Sequence, residues 1–258
     1  MRLPIALLLV ATSVPAAFAE DGESYDKEPV VFAQRRLVMA PNLIRPELSF
    51  FVGQYGADAD TTVGFGVVVD WTPIDKLQIG AVASPVVAPE TDAGEPGLYA
   101  RYLFLDGAFQ LAGQIGYNYQ DPGPGVIGLA VPMRFDLNPA AHLDLHPGIG
   151  IDLPDSGEKT YVDLEVDLGL GISFTRAIYM ELSTGLSAPQ FDFDLASVPL
   201  GLELGYSIKG AEETAWIDIF LRANFDAFLL PNAPEGSDTV NLDVWTIALG
   251  GRATFGLD

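Results

Sequence analysis

The sequence has no cysteine, only 2 histidines, and 13 basic against 35 acidic residues, a formal charge of −22 over 258 residues. Without thiols there is no disulfide framework, no thiolate metal centre and no cysteine-linked lipid anchor. Scarcity of cations excludes a nucleic-acid partner, because such acidity repels phosphate backbones. Long apolar runs are missing too: beyond the N-terminus nothing approaches the ~20 residues of a membrane-spanning helix. Nor does any segment combine an i, i+3, i+4, i+7 apolar pattern with a capping residue. Yet 49% of the chain is hydrophobic and mean hydropathy is positive, too apolar for a disordered acidic chain. High hydropathy beside high net charge implies two faces that meet two different solvents.

Residues 1–19 read MRLPIALLLVATSVPAAFA. Arg2 gives a short positive start, Pro4 to Val14 an apolar core, and Ala17-Phe18-Ala19 an A-x-A cleavage site before Glu20. This is the pattern of a secretory signal peptide, and its apolar run of about 11 residues falls short of the ~20 that span a bilayer. Its removal takes away one basic residue, Arg2, and no acidic one, leaving −23. Residues 20–41 are mostly polar and carry the adjacent pair Arg35 and Arg36 in a chain poor in cations. They are read as a periplasmic tail or as a plug folded into an acidic lumen.

From residue 42 to 258 the dominant pattern has period 2. Val162, Leu164, Val166, Leu168, Leu170, Ile172 and Phe174 alternate with Asp163, Glu165, Asp167, Gly169, Gly171, Ser173 and Thr175. Val198, Leu200, Leu202, Leu204, Tyr206 and Ile208 alternate in the same way with Pro199, Gly201, Glu203, Gly205, Ser207 and Lys209. Such alternation marks half-buried strands. The rule predicts twelve, near 43–54, 61–72, 76–85, 97–105, 108–120, 125–137, 141–153, 160–174, 177–188, 197–209, 214–228 and 240–256, with room for short strands in 86–96 and 189–196. Short turns such as Asp106-Gly107 and Thr175-Arg176 take turns with longer acidic loops such as 86–96 and 230–239. An up-and-down meander with its two ends in different surroundings has that rhythm.

Alternation alone does not say what the apolar face meets, since a soluble barrel also has one apolar and one polar face. Strands of 10–15 residues exceed the usual ~5–6 and match the ~9–11 of a tilted bilayer crossing. The polar face is rich in Gly, Ala and acids and poor in Lys, unlike a mixed-charge surface. Tyr55, Trp71, Tyr117, Tyr119, Phe135, Phe174, Tyr179, Tyr206, Trp216 and Trp245 lie near strand ends, where interfacial girdles belong. In this pattern the chain resembles the bacterial outer-membrane β-barrel proteins of Gram-negative cells, the broad class that includes small porins. The resemblance covers roughly 42–258 and is one of pattern. Members usually end on an aromatic residue, whereas Phe255 here is followed by Gly256-Leu257-Asp258. It implies an all-β, antiparallel up-and-down transmembrane barrel of about twelve strands, exported to the outer membrane.

Few residues carry chemistry. His142, Asp144 and His146 share one strand face, but alternate residues are ~6.5–7 Å apart along a strand. Zinc needs ligands ~2.0–2.2 Å from one centre, so they are weak metal candidates, better read as polar lumen filling. Asp163, Glu165 and Asp167 form an acidic stripe on the face shared with Asp144 and Asp152. Arg101, Arg134, Lys209, Arg222 and Arg252 are the inward cations expected to balance it as a charge ladder. The sharper alternative is a cation-selective constriction. The long loops hold Asp58, Asp60, Glu90, Asp92, Glu95, Asp121, Asp155, Glu158, Asp192, Asp194, Glu235 and Asp238. They are read as a repulsive solvated surface or as sites where divalent cations bridge to lipopolysaccharide, though no twelve-residue calcium loop is present. No nucleophile motif appears and no cofactor is implied.

The leading expectation is a narrow passive channel for small solutes or cations. Its lining is expected to include Asp144, Asp152, Asp163, Glu165, Asp167, Glu203, Arg101, Arg134, Arg222 and Arg252. The alternatives are a side-chain-filled structural or adhesive barrel acting through its acidic loops and, more weakly, a barrel-borne hydrolase. Eight strands fill with side chains while 16–18 leave a channel, and about twelve fall between. Solute, oligomeric state and loop partners are left unspecified.

Overall fold

The computed structural model describes residues 31–57, 59–120, 123, 125–153, 159–209, 215–232 and 239–257. The signal peptide, the first part of the 20–41 segment, and the loop acids Asp58, Asp121, Asp155, Glu158, Glu235 and Asp238 lie outside the described residues.

The strands are β1 Leu43–Tyr55, β2 Thr62–Ile74, β3 Leu77–Ala83, β4 Val86–Ala88, β5 Gly97–Leu105, β6 Phe109–Asn118 and β7 Val126–Ala130. Then follow β8 Met133–Asn138, β9 Ala141–Asp152, β10 Val162–Ser173, β11 Ile178–Ala188, β12 Val198–Lys209, β13 Trp216–Leu229 and β14 Val244–Gly256. Every pairing is antiparallel, and β1 pairs with both β2 and β14, closing a ring of twelve. Closure satisfies every edge, the only way a sheet can stand in hydrocarbon.

Two short strands, β4 and β8, stand outside the count of twelve. β7 and β8 lie in turn between the same neighbours, β6 and β9, in one register. Only Val131-Pro132 interrupts them. Pro132 has no N–H to give the ladder, while its carbonyl still accepts from Ala112 N at 2.8 Å. Ser84-Pro85 separates β3 from β4 in the same way, both resting on β2. The expected 125–137 strand is therefore one line with a proline break, and the 86–96 loop does hold a short strand. The 189–196 loop instead forms two single 3-10 turns, Pro189–Phe191 and Phe193–Leu195.

Alternation sets which way each side chain faces. On β12 and β13 the exposed positions are Leu202, Leu204, Tyr206, Ile208, Ile217, Ile219 and Leu221, while Glu203, Ser207, Trp216, Asp218 and Phe220 are buried. This inverts a water-soluble protein: large apolar side chains cover the outside and charged ones fill the inside. Leu48, Phe50, Phe65, Trp71, Leu98, Phe104, Ile115 and Leu249 continue the band around the ring. An apolar belt of this extent belongs against lipid.

The girdle expectation needs one correction. Tyr55, Trp71, Tyr117, Tyr119, Phe135, Phe174 and Tyr206 are exposed, but Tyr179 and Trp216 are each only 1% exposed. Their neighbours Ile178 and Ile217 take the outward positions, so parity sends both rings into the lumen. There Tyr179 lies across its cross-strand partner Gly205, where an added Cβ would sit 2.0 Å from the ring. His142 lies across Gly171 in the same manner, at 2.4 Å.

The lumen as candidate functional site

Residues 31–40, just before β1, lie among inward side chains at the short-turn end of the ring. Their backbone is tied to the wall on several sides. Ala33 N donates to Ser173 Oγ at 3.0 Å, Leu37 N to Gln110 Oε1 at 2.7 Å and Met39 N to Gln78 Oε1 at 3.3 Å. Arg101 donates to Leu37 O at 3.1 Å, Arg134 donates to Arg35 O, and His142 Nδ1 lies 3.1 Å from Ala33 O. A segment with no ladder of its own has to find such partners, since an unpaired buried backbone group costs about as much as a lost hydrogen bond.

Packing completes the anchorage. Leu37 and Val38 form an apolar cluster with Leu103 and Ala112 of the wall, and Met39 and Ala40 form another with Leu43. Phe32 stacks on Tyr179 with centroids 4.1 Å apart and planes 6° from parallel. Arg35 sits between the rings of Phe32, Tyr179 and Trp216, 5.1–5.9 Å from their centroids. Its guanidinium reaches Asp218 through two bonds, of 2.5 and 2.8 Å, and Ser207 through a third of 3.0 Å. Arg36 pairs with Asp106 in a short turn.

Above this level four arginines of the wall are matched to acids. Arg134 forks onto Asp144 at 2.7 and 2.5 Å. Arg222 holds Glu203 at 2.6 Å and reaches Glu47 at 3.4 Å. Arg252 bonds Glu203 and lies 3.3 Å from Glu47; both guanidiniums rest on the Phe220 ring. Arg45 holds Asp70 at 2.7 Å, and Asp70 also accepts from Tyr99. Planar guanidinium suits such bidentate and stacked positions.

The sequence-selected residues separate into two groups. Asp144, Glu203, Arg134, Arg222 and Arg252 belong to the paired network, and Arg101 binds Gln114 and the Leu37 carbonyl. Glu165 and Asp167 line a cavity of about 300 Å³ in the long-loop half. Neither forms a hydrogen bond or ion pair with another described residue. Asp163 accepts from Gln190 N at 2.7 Å, and Asp152 closes β9 beside Val126. Lys209 is exposed at the end of β12, outside the network.

The expected ladder between the arginines and the 163–167 stripe is thus not what forms. The arginines choose Asp144, Glu203, Asp218, Asp70 and Glu47, and the last three were not singled out in the sequence. Their signal was available: each falls on the inward parity of its own strand. In the metal candidate, Asp144 is occupied by Arg134 and lies 3.6 Å from His142 Nε2. Among the described residues no group of three or more metal-ligating side chains converges.

No protein-family model and no curated protein sequence matches the chain. Solved structures do. The NanC porin aligns with a TM-score of 0.60 at 10% identity, over 83% of this chain and all of that one. An anion-selective porin from Comamonas acidovorans aligns at 0.38 and 11%, over 83% and 98%. OprG, an outer-membrane protein of Pseudomonas aeruginosa, aligns at 0.26 and 10%, over 91% and 100%. What the chain shares with the NanC porin is its fold, the closed antiparallel barrel of the outer-membrane proteins.

Proposed function

We propose that the chain is a channel-type barrel of the outer membrane that passes small solutes or cations, with residues 31–40 closing its short-turn end. The reading involves no chemical step. One observation carries it: the lumen is not uniformly filled. Its short-turn end is packed by residues 31–40, and Arg45, Arg134, Arg222 and Arg252 are matched by acids, whereas the long-loop half keeps a cavity of about 300 Å³ lined by Glu165 and Asp167. Unpaired carboxylates in a low-dielectric throat raise the local concentration of cations.

The test is planar-bilayer conductance of the refolded mature chain, checked first for a heat-modifiable gel shift. The intact chain is expected to give small or infrequent steps, and a chain lacking residues 20–40 larger, cation-preferring ones. Equal conductance with and without the segment would remove its closing role. The packing of Leu37, Val38, Leu103 and Ala112 favours a second reading, a filled barrel working through its loops, which divalent cations and lipopolysaccharide would contact. A folded barrel silent in both forms would support it.

A further inference from the structure

The same cavity has a composition that nothing in a simple cation path requires. Its volume of about 300 Å³ is at the lower bound of small-molecule sites, which run from roughly 300 to 1,000 Å³. Arg101 of β5 forms one wall and Glu165 and Asp167 of β10 the other. The lining between them includes Gly116 on β6, Gly128 on β7 and Gly148 on β9, which leave open space beside Gln114 and His146. A Cβ added at Gly128 would meet nothing within 4 Å.

Elsewhere in the lumen opposite charges touch, as Arg134 touches Asp144 and Arg222 touches Glu203. Here they are held apart. Arg101 is steadied by Gln114 at 2.8 Å through Nε and by the Leu37 carbonyl through Nη1, which leaves part of its five-donor fork unused. Glu165 and Asp167 have neither hydrogen bond nor ion pair among the described residues. His146, also in the lining, has a buried Nε2 with no hydrogen-bond partner. Unspent donors and acceptors of both signs around one space are the marks of a site that expects a polar ligand.

We propose that this cavity binds a small zwitterion, its cationic end at Glu165 and Asp167 and its carboxylate at Arg101, with His146 as a further polar contact. The inference rests on the reading of the long-loop half as a solvent-filled path, and it names the class of solute. A simple amine would leave Arg101 unmatched, and a simple carboxylate would meet repulsion from the two acids. Discrimination therefore comes from both walls.

The experiment is calorimetric titration of the refolded mature chain in detergent with three probes of one carbon skeleton: 6-aminohexanoate, hexanoate and hexylamine. 6-Aminohexanoate is expected to bind at least tenfold more tightly than either single-charge probe. Gly128→Leu, which fills the floor, should weaken it at least tenfold with the heat-modifiable shift unchanged. If that variant does not fold, Glu165→Gln with Asp167→Asn serves instead, and its preference should turn toward hexanoate. Hexylamine binding as tightly as 6-aminohexanoate would overturn the proposal, as would binding that survives both changes or its absence from the native chain. A barrel that binds but passes no current would lose the channel reading alone; one that conducts without binding would lose this inference alone.

Discussion

Arg35 and Asp218 are joined by two hydrogen bonds, of 2.5 and 2.8 Å, with the two side chains 4% and 0% exposed. They stand 183 residues apart in the chain. Removing one partner of a buried pair leaves an uncompensated charge and costs roughly 3–5 kcal/mol. Asp218→Asn should therefore loosen residues 31–40. Trypsin is expected to cut after Arg35 or Arg36 at least a hundredfold faster in the variant than in the native barrel, read by mass spectrometry of the N-terminal fragment. Equal rates would mean that the pair does not hold the segment.

Charge selectivity should follow the unpaired acids rather than the paired ones. In a chain lacking residues 20–40, Glu165→Gln with Asp167→Asn should lower the potassium-to-chloride permeability ratio several-fold. The difference should shrink between 0.1 and 1 M salt, as the screening length falls from ~10 to ~3 Å. Reversal potentials across a salt gradient give the ratio directly.

Tyr179 links the wall to the segment inside it. It stacks on Phe32, donates to Glu203 at 2.9 Å, and lies over Gly205. Gly205→Ala would push the ring toward Phe32, on which it stacks. Overpacking of this kind costs about 1–3 kcal/mol, so the urea midpoint for unfolding from lipid vesicles should fall. An unchanged midpoint would mean that the ring can move aside freely.

The outer belt makes a sharper forecast. Leu221 is 49% exposed in the middle of β13, and in a soluble protein such a position tolerates most changes within ~0.5 kcal/mol. Facing lipid, Leu221→Arg should cost about 2–4 kcal/mol. Urea titration of folding into phosphatidylcholine vesicles would measure it, and a negligible cost would place water outside the barrel.

Most of the wall was legible in the sequence, because a period of 2 is a local signal that each strand repeats. Val162–Ser173 and Val198–Lys209 fall within a residue or two of their expected ends. Parity, applied strictly, would also have turned Tyr179 and Trp216 inward; their aromatic character near strand ends suggested the girdle instead. The breaks at Pro85 and Pro132 leave register unchanged, so alternation passes through them. Residues 31–40 were not legible to the same degree. They contain no ladder and no period, and what places them is a set of partners from Gln78 to Asp218 that come together only once the ring exists. The pairing of arginines failed for a related reason: sequence gives the face of a residue, not its neighbour across the lumen.

The β1–β14 seam joins residues from the two ends of the described chain, Leu43 to Gly256 and Tyr55 to Val244. Every other neighbouring pair lies close in sequence and can form as the chain is laid down. The seam must wait for the last strand, and until then β1 presents an unpaired edge that any other strand could capture. Residues 31–40 lead directly into β1, so the segment that fills the lumen is carried by the strand that closes it. Assembly of this protein is therefore governed by one long-range event, in which sealing the ring and enclosing its contents are coupled.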